Sequence, residues 1–178
     1  MALGWNVRCA TCLLVAALLA CSDSSGDEVP PTAFSADTTC GAAIALDGAL
    51  TLRVPPSRSS TACASQTSFD SGVDTGFLFV DGELSHVDLE VDDVHEGEIG
   101  SGFPAHLTIV HDDEREWRGE GCTAEIAEHE HVGPGELGWE RYRLTGSVAC
   151  EGAASIPAGA APALELESFA FVVSISWG

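Results

Sequence analysis

The chain contains no lysine: its seven basic residues are all arginines, set against 28 Asp and Glu, for a formal net charge of −21 over 178 residues. Such a surface repels phosphate backbones, whose binding requires neutralisation by Lys or Arg, so nucleic acid is excluded as a partner class. A polybasic contact with anionic lipid is excluded on the same ground. No apolar run reaches the ~20 residues that a transmembrane helix needs. There is no G-x-S-x-G elbow, so no hydrolase nucleophile can be nominated and the chain reads as a non-enzyme. Four cysteines lie beyond the N-terminal segment: Cys40, Cys63, Cys122 and Cys150. None has the C-x-x-C spacing of a zinc or redox site. The acidic stretch Asp88 to Glu98 lacks the Gly-centred loop of an EF-hand and reads as an exposed strand face. Internal repeats and helical periodicity are both missing.

What is present begins at the N-terminus. Arg8 is followed by an apolar stretch from Cys9 to Ala20 that is too short to span a bilayer and has the length of a signal-peptide h-region. It ends in Leu18-Leu19-Ala20-Cys21. This run resembles the lipobox of bacterial lipoprotein precursors: an aliphatic residue three before a cysteine, and a small residue just before it. The resemblance covers residues 1–21 and implies that residues 1–20 are a signal peptide and that Cys21 carries a covalent lipid. It places the protein in the bacterial cell envelope, attached to the membrane by its lipid. Where the following residue sorts such proteins, Ser22 implies the outer membrane, on its periplasmic face or at the cell surface. Loss of the one arginine among the first 20 residues takes the net charge from −21 to −22.

Residues 21–39 hold Cys21 and a Ser-, Asp-, Thr- and Pro-rich run that reads as a disordered tether, with 40–178 as a single β domain. From Cys40 onward the pattern has period two, broken by Gly, Asp and Pro, the signature of antiparallel strands. Ala42–Leu46 and Ala49–Val54 flank Asp47-Gly48, which predicts a two-residue hairpin turn; Asp81-Gly82 predicts a second. Residues 55–75 read as a long loop stapled by Cys63. In the strand Glu83–Asp92, Val87, Leu89 and Val91 face one way and Asp88, Glu90 and Asp92 the other. His106–His111 and Glu116–Arg118 read as further strands, Ser101 as a loop residue between two glycines, and Asp112-Asp113-Glu114 as a solvated turn. In the last strand Phe169, Phe171, Val173, Ile175 and Trp177 share a face. A bulge near Ser168 explains the change of phase from Leu164 and Leu166.

Cys122–Val132 and Glu140–Cys150 read as a hairpin. Folded symmetrically about Glu136, it sets Cys122 opposite Cys150, Ile126 opposite Gly146, Glu130 opposite Tyr142, His129 opposite Arg143 and His131 opposite Arg141. Opposed residues in an antiparallel pair lie within disulfide range. This gives Cys122–Cys150, and leaves Cys40–Cys63. The fold expected is all-β, an antiparallel β-sandwich or small barrel-like sandwich with two disulfides.

His129-Glu130-His131 is the strongest candidate for chemistry. On a strand, His129 and His131 point to one side about 7 Å apart. A third ligand from His86, His95, His106 or His111 would complete a zinc or copper site, though flanking Arg141 and Arg143 would repel a cation. The same arginines suggest a small-anion site, with Glu125 near them. Trp117, Trp139 and Tyr142 suggest an aromatic platform for a sugar or peptide. The leading expectation is a lipid-anchored, non-enzymatic binding or structural module. Its partner is an envelope protein, a glycan or a small ligand, and it needs no cofactor beyond the lipid. The alternative is a divalent-metal protein using His129 and His131.

Overall fold

The computed structural model describes residues 34–56, 62–67, 72–79, 84–135 and 138–177. The expected signal peptide (1–20), Cys21, most of the expected tether and the expected Asp81-Gly82 turn lie outside the described residues. Eleven strands are described: β1 (Gly41–Gly48), β2 (Leu52–Val54), β3 (Ala62–Thr67), β4 (Val73–Leu78), β5 (Leu84–Val91), β6 (Gly100–His111), β7 (Glu116–Glu120), β8 (Thr123–Pro134), β9 (Glu140–Ala149), β10 (Gly152–Ile156) and β11 (Leu164–Trp177). All join one sheet, and every pairing in it is antiparallel.

Two long strands organise the sheet. One edge of β11 carries β1; the other carries β10 at Leu164 and β9 from Phe169 to Trp177. One edge of β6 carries β5; the other carries β7 and β8. β7 runs on into β8 and β9 into β10 in one continuous register (Glu120↔Gly152, Thr123↔Ala149), so β6, β7–β8, β9–β10 and β11 lie side by side in the middle of the sheet. The outlying edge strands curl the sheet toward closure. β3 packs against β11, and the Cys40–Cys63 disulfide (Cα–Cα 5.7 Å) ties the start of β1 to β3. The result is the barrel-like sandwich that the alternation implies.

The interior follows from the period-two pattern. Val87, Leu89 and Val91 are fully buried, while Asp88 and Glu90 face solvent. Phe77 of β4 meets Phe169 of β11 edge-to-face at 5.8 Å, so the two walls interlock through aromatic rings. Phe171, Val173 and Ile175 extend that face. The bulge falls where β11 changes phase: Ala45 pairs with Ser168 but Leu46 with Leu166, leaving Glu167 between them. Cys122 and Cys150 are joined, with Cα atoms 4.0 Å apart.

Three expectations are corrected, and one strand is added. The stretch 55–75 is not one loop. It contains β3 and the start of β4, whose ladder from Ala62↔Leu78 to Thr67↔Val73 imposes strand on a locally weak sequence. Asp47-Gly48 is not a two-residue turn. Leu46 pairs with Leu52, so the turn spans Asp47–Thr51, because Asp47 and Gly48 are still paired with Glu165 and Leu164 of β11. The Asp47 carboxylate accepts from the Gly48 N–H (2.7 Å) and the Thr51 hydroxyl (3.1 Å), shaping that wider turn. Ser101 lies within β6, beside a bulge at Gly102, whose φ of 84° suits glycine. β10 was not expected. Its small residues gave no alternation, and it forms by pairing with β7. The Asp112–Glu114 turn forms as expected, closed by Glu114 N–H to His111 O (3.0 Å), but Asp113 also holds Arg115 at 2.8 Å.

Candidate functional site

The candidate site is one end of the barrel, and a bulge in β8 creates it. Up to Ile126 the β8–β9 register is the symmetric one, with Ile126 opposite Gly146. The next pair is Glu128↔Thr145, so Ala127 is extruded and the phase of β8 inverts. His129 then falls opposite Leu144, and His131 opposite Tyr142, on the inward side. A second slip at Val132 sets Gly133 opposite Arg141. The expected pairs His129–Arg143, His131–Arg141 and Glu130–Tyr142 are therefore overturned: Arg143 faces Glu130 instead. No guanidinium flanks the histidines across the ladder. Alanine carries no bulge signature, which is why the sequence did not reveal the slip.

Four rings meet at this end. His129 lies edge-on to Tyr142 at 5.1 Å and tilted against Trp177 at 5.8 Å, and His131 packs on Tyr142 at 5.2 Å. Trp177 closes β11 and is nearly buried; His129 and Tyr142 are half-buried; His131 is exposed. The turn His95–Glu98 supplies the polar partners. It is closed by Glu98 N–H to His95 O and His95 N–H to the Glu98 carboxylate, both at 3.0 Å.

Donor chemistry fixes the state of His129. The Trp177 indole N–H is a donor only, and it lies 3.1 Å from Nε2 of His129, so Nε2 accepts. Nδ1 then carries the proton and donates to the Glu98 carbonyl at 3.1 Å. Burial holds the His129 pKa below its ordinary value, against the Glu98 carbonyl bond and the charges of Glu96 and Glu98. The Tyr142 hydroxyl donates to Glu96, which pushes the phenol up to about 12. His131 Nε2 lies 2.7 Å from the Glu140 carboxylate, with both side chains half exposed.

This arrangement closes a barrel end; it does not present a ligand set. Both ring nitrogens of His129 are engaged, and His131 is turned to Glu140. The other histidines are scattered: His86 near Asp88 (3.5 Å), His106 by Asp92 (3.2 Å), His111 by Asp113 (2.8 Å), and His95 in the turn. Among the described residues no three His, Cys, Asp or Glu gather as a metal site. The small-anion expectation does not assemble either: Arg143 is spent on Glu128 at 2.9 Å and on backbone carbonyls, and Glu125 pairs with Ser147 further along the ladder. The aromatic platform is overturned as well. Trp117 is a fully buried core residue whose indole donates to Pro162 O (3.0 Å), with Arg115 stacked 5.4 Å from its ring centroid. Tyr142 belongs to the barrel end, and Trp139 to the β8–β9 connection there, where its carbonyl accepts from the Gly135 N–H (2.7 Å). Trp177, which completes the cluster, was read from the sequence as core alone.

No protein-family model, no curated protein and no solved structure matches this chain.

Proposed function

We propose that this chain is a lipid-anchored protein of the bacterial cell envelope, its β domain a non-enzymatic binding or structural module. The observation that carries the reading is the combination of Leu18-Leu19-Ala20-Cys21 with a domain stapled by Cys40–Cys63 and Cys122–Cys150. Disulfides form and persist in oxidising compartments, so the stapled domain is consistent with a secreted or extracytoplasmic protein. The lipobox resemblance supplies the finer statement, a lipid on Cys21. One acyl chain binds a membrane only marginally, and a multiply acylated cysteine anchors stably. Ser22 supports the outer membrane. The net charge of −21 argues for an envelope protein, glycan or small ligand as partner and against nucleic acid.

The test is expression of the full chain and of Cys21→Ala in a Gram-negative host fed an alkyne-tagged fatty acid. The expected result is a labelled wild-type chain in the outer-membrane fraction and an unlabelled variant outside it. An unlabelled wild-type chain defeats the anchor reading. No observation favours metal binding as a second function, since His129 has no nitrogen to spare.

A further inference from the structure

We infer that Ser35–Thr38 is a strap gripped by Arg143, and that this grip turns the β8–β9 wall toward the membrane. The inference rests on the lipid-anchor reading for its membrane half only.

The sequence alone makes everything from Ser22 to Thr39 a free tether. The structure places Ser35–Thr38 against the outer face of the β8–β9 wall. Arg143 projects outward from β9, opposite Ser174 of β11 on one side and Glu130 of β8 on the other. Its side chain is only 10% exposed, unusual for an outward-facing arginine. Each guanidinium nitrogen donates: Nε to Thr38 O (3.0 Å), one terminal nitrogen to Ser35 O (3.4 Å), and the other to the Glu128 carboxylate (2.9 Å). The Thr145 hydroxyl donates to the same Glu128 oxygen at 3.2 Å. The strap is itself turned, with Thr38 N–H on Ser35 O at 2.9 Å. Only a planar fork reaches two carbonyls and a carboxylate at once; a lysine makes a point contact.

Glu128 is available to hold the fork because of the Ala127 bulge. Without that extra residue Glu128 would point into the barrel. With it, Glu128 lies on the outer wall beside Thr145. The bulge that turns His129 inward thus also builds the grip.

The consequence is geometric. Thirteen residues, 22–34, separate Cys21 from the strap. The strap meets the domain at the β8–β9 wall rather than at the start of β1. The face bearing Asp74, Asp88 and Glu90 lies on β4 and β5, round the sheet past β8 and β6. The β8–β9 wall sets Arg141 and Arg143 among Glu125, Glu128 and Glu130, so an anionic headgroup layer repels it less than the β4–β5 face.

The test uses the full lipidated chain in nanodiscs with a paramagnetic headgroup lipid, read by amide relaxation, together with hydrogen exchange at Thr38. Relaxation is expected to be strongest at Glu128, Glu130 and Arg141 and weakest at Asp74, Asp88 and Glu90. Arg143→Met is expected to flatten this gradient and to speed Thr38 exchange by about tenfold or more. Arg143→Lys, which keeps the charge without the fork, is expected to speed it too. Thr38 exchanging at the free-chain rate in the wild type, or unchanged in both variants, overturns the strap. Uniform relaxation in a chain that does enter the discs overturns the membrane-facing assignment alone. A chain that does not enter the discs defeats that assignment together with the anchor reading, and leaves the Thr38 measurement standing.

Discussion

The indole N–H of Trp177 donates to Nε2 of His129 at 3.1 Å, which locks the imidazole in its neutral form with the proton on Nδ1. A protonated His129 would set N–H against N–H. Because the folded pKa of His129 lies below 6.5, the unfolded chain takes up its proton first as the pH falls. The stability contributed by neutral His129 is complete above 6.5 and is lost as the pH falls through the folded value. Thermal melts between pH 7.5 and 5 are expected to show Tm falling in the wild type and falling less in His129→Gln. Equal slopes in the two proteins would remove His129 from the account. Asp113, held at about 2 by Arg115, and Asp47, lowered chiefly by the Gly48 N–H, act in a separate window below their ordinary 3.8.

Trp177→Phe removes the donor and leaves Nε2 of His129 without its partner. Urea denaturation is expected to register a loss of about 1–2 kcal/mol. A change within a few tenths would mean that the indole N–H does not hold this end of the barrel.

Gly119 sits over the Cys122–Cys150 disulfide: a Cβ there would lie 2.4 Å from Cys122 Sγ and 2.9 Å from Cys150 Sγ. Gly146 is similarly closed in, 2.4 Å from Glu125 O and 2.7 Å from the Phe171 ring. Gly119→Ala and Gly146→Ala are each expected to cost about 2–3 kcal/mol, whereas Gly152→Ala, with nothing within 4 Å, should stay within about 0.5 kcal/mol. Denaturant midpoints of the three variants decide it.

Much of the fold was legible because its logic is local. The alternation over Val87–Asp92 gave both faces of β5, and the change of phase before Phe169 gave the bulge at Glu167. The symmetric fold of the last hairpin gave the cysteine pairing, since no slip lies between the cysteines and Ile126. The site was less legible for the same reason. One extruded alanine inverts every side chain after it, so the reading placed His129 beside Arg143 when it lies beside Trp177. β3 and β10 escaped notice because their pairing partners, not their own residues, make them strands.

Metal addition checks the histidine assignment independently. A ligand that binds only the folded state raises Tm by mass action. With both His129 nitrogens occupied, zinc, copper, calcium and EDTA are expected to leave Tm unchanged. A rise of several degrees with one metal, lost in His129→Ala/His131→Ala, would make metal binding the working function.

Removing either disulfide should cost about 3–4 kcal/mol, given chain separations of 23 and 28 residues. Loss of Cys40–Cys63 is expected to expose the edge strand β3 to protease before β8 and β9, because that bond ties the start of β1 to β3. Cleavage of β8 or β9 first would contradict their place in the middle of the sheet.

The most direct measurement of the central claim is the intact mass of the N-terminal peptide of the chain recovered from cell membranes. The account predicts a peptide that begins at Cys21 and carries acyl mass on that residue. A peptide beginning at Met1, or at any other residue without lipid, would contradict it.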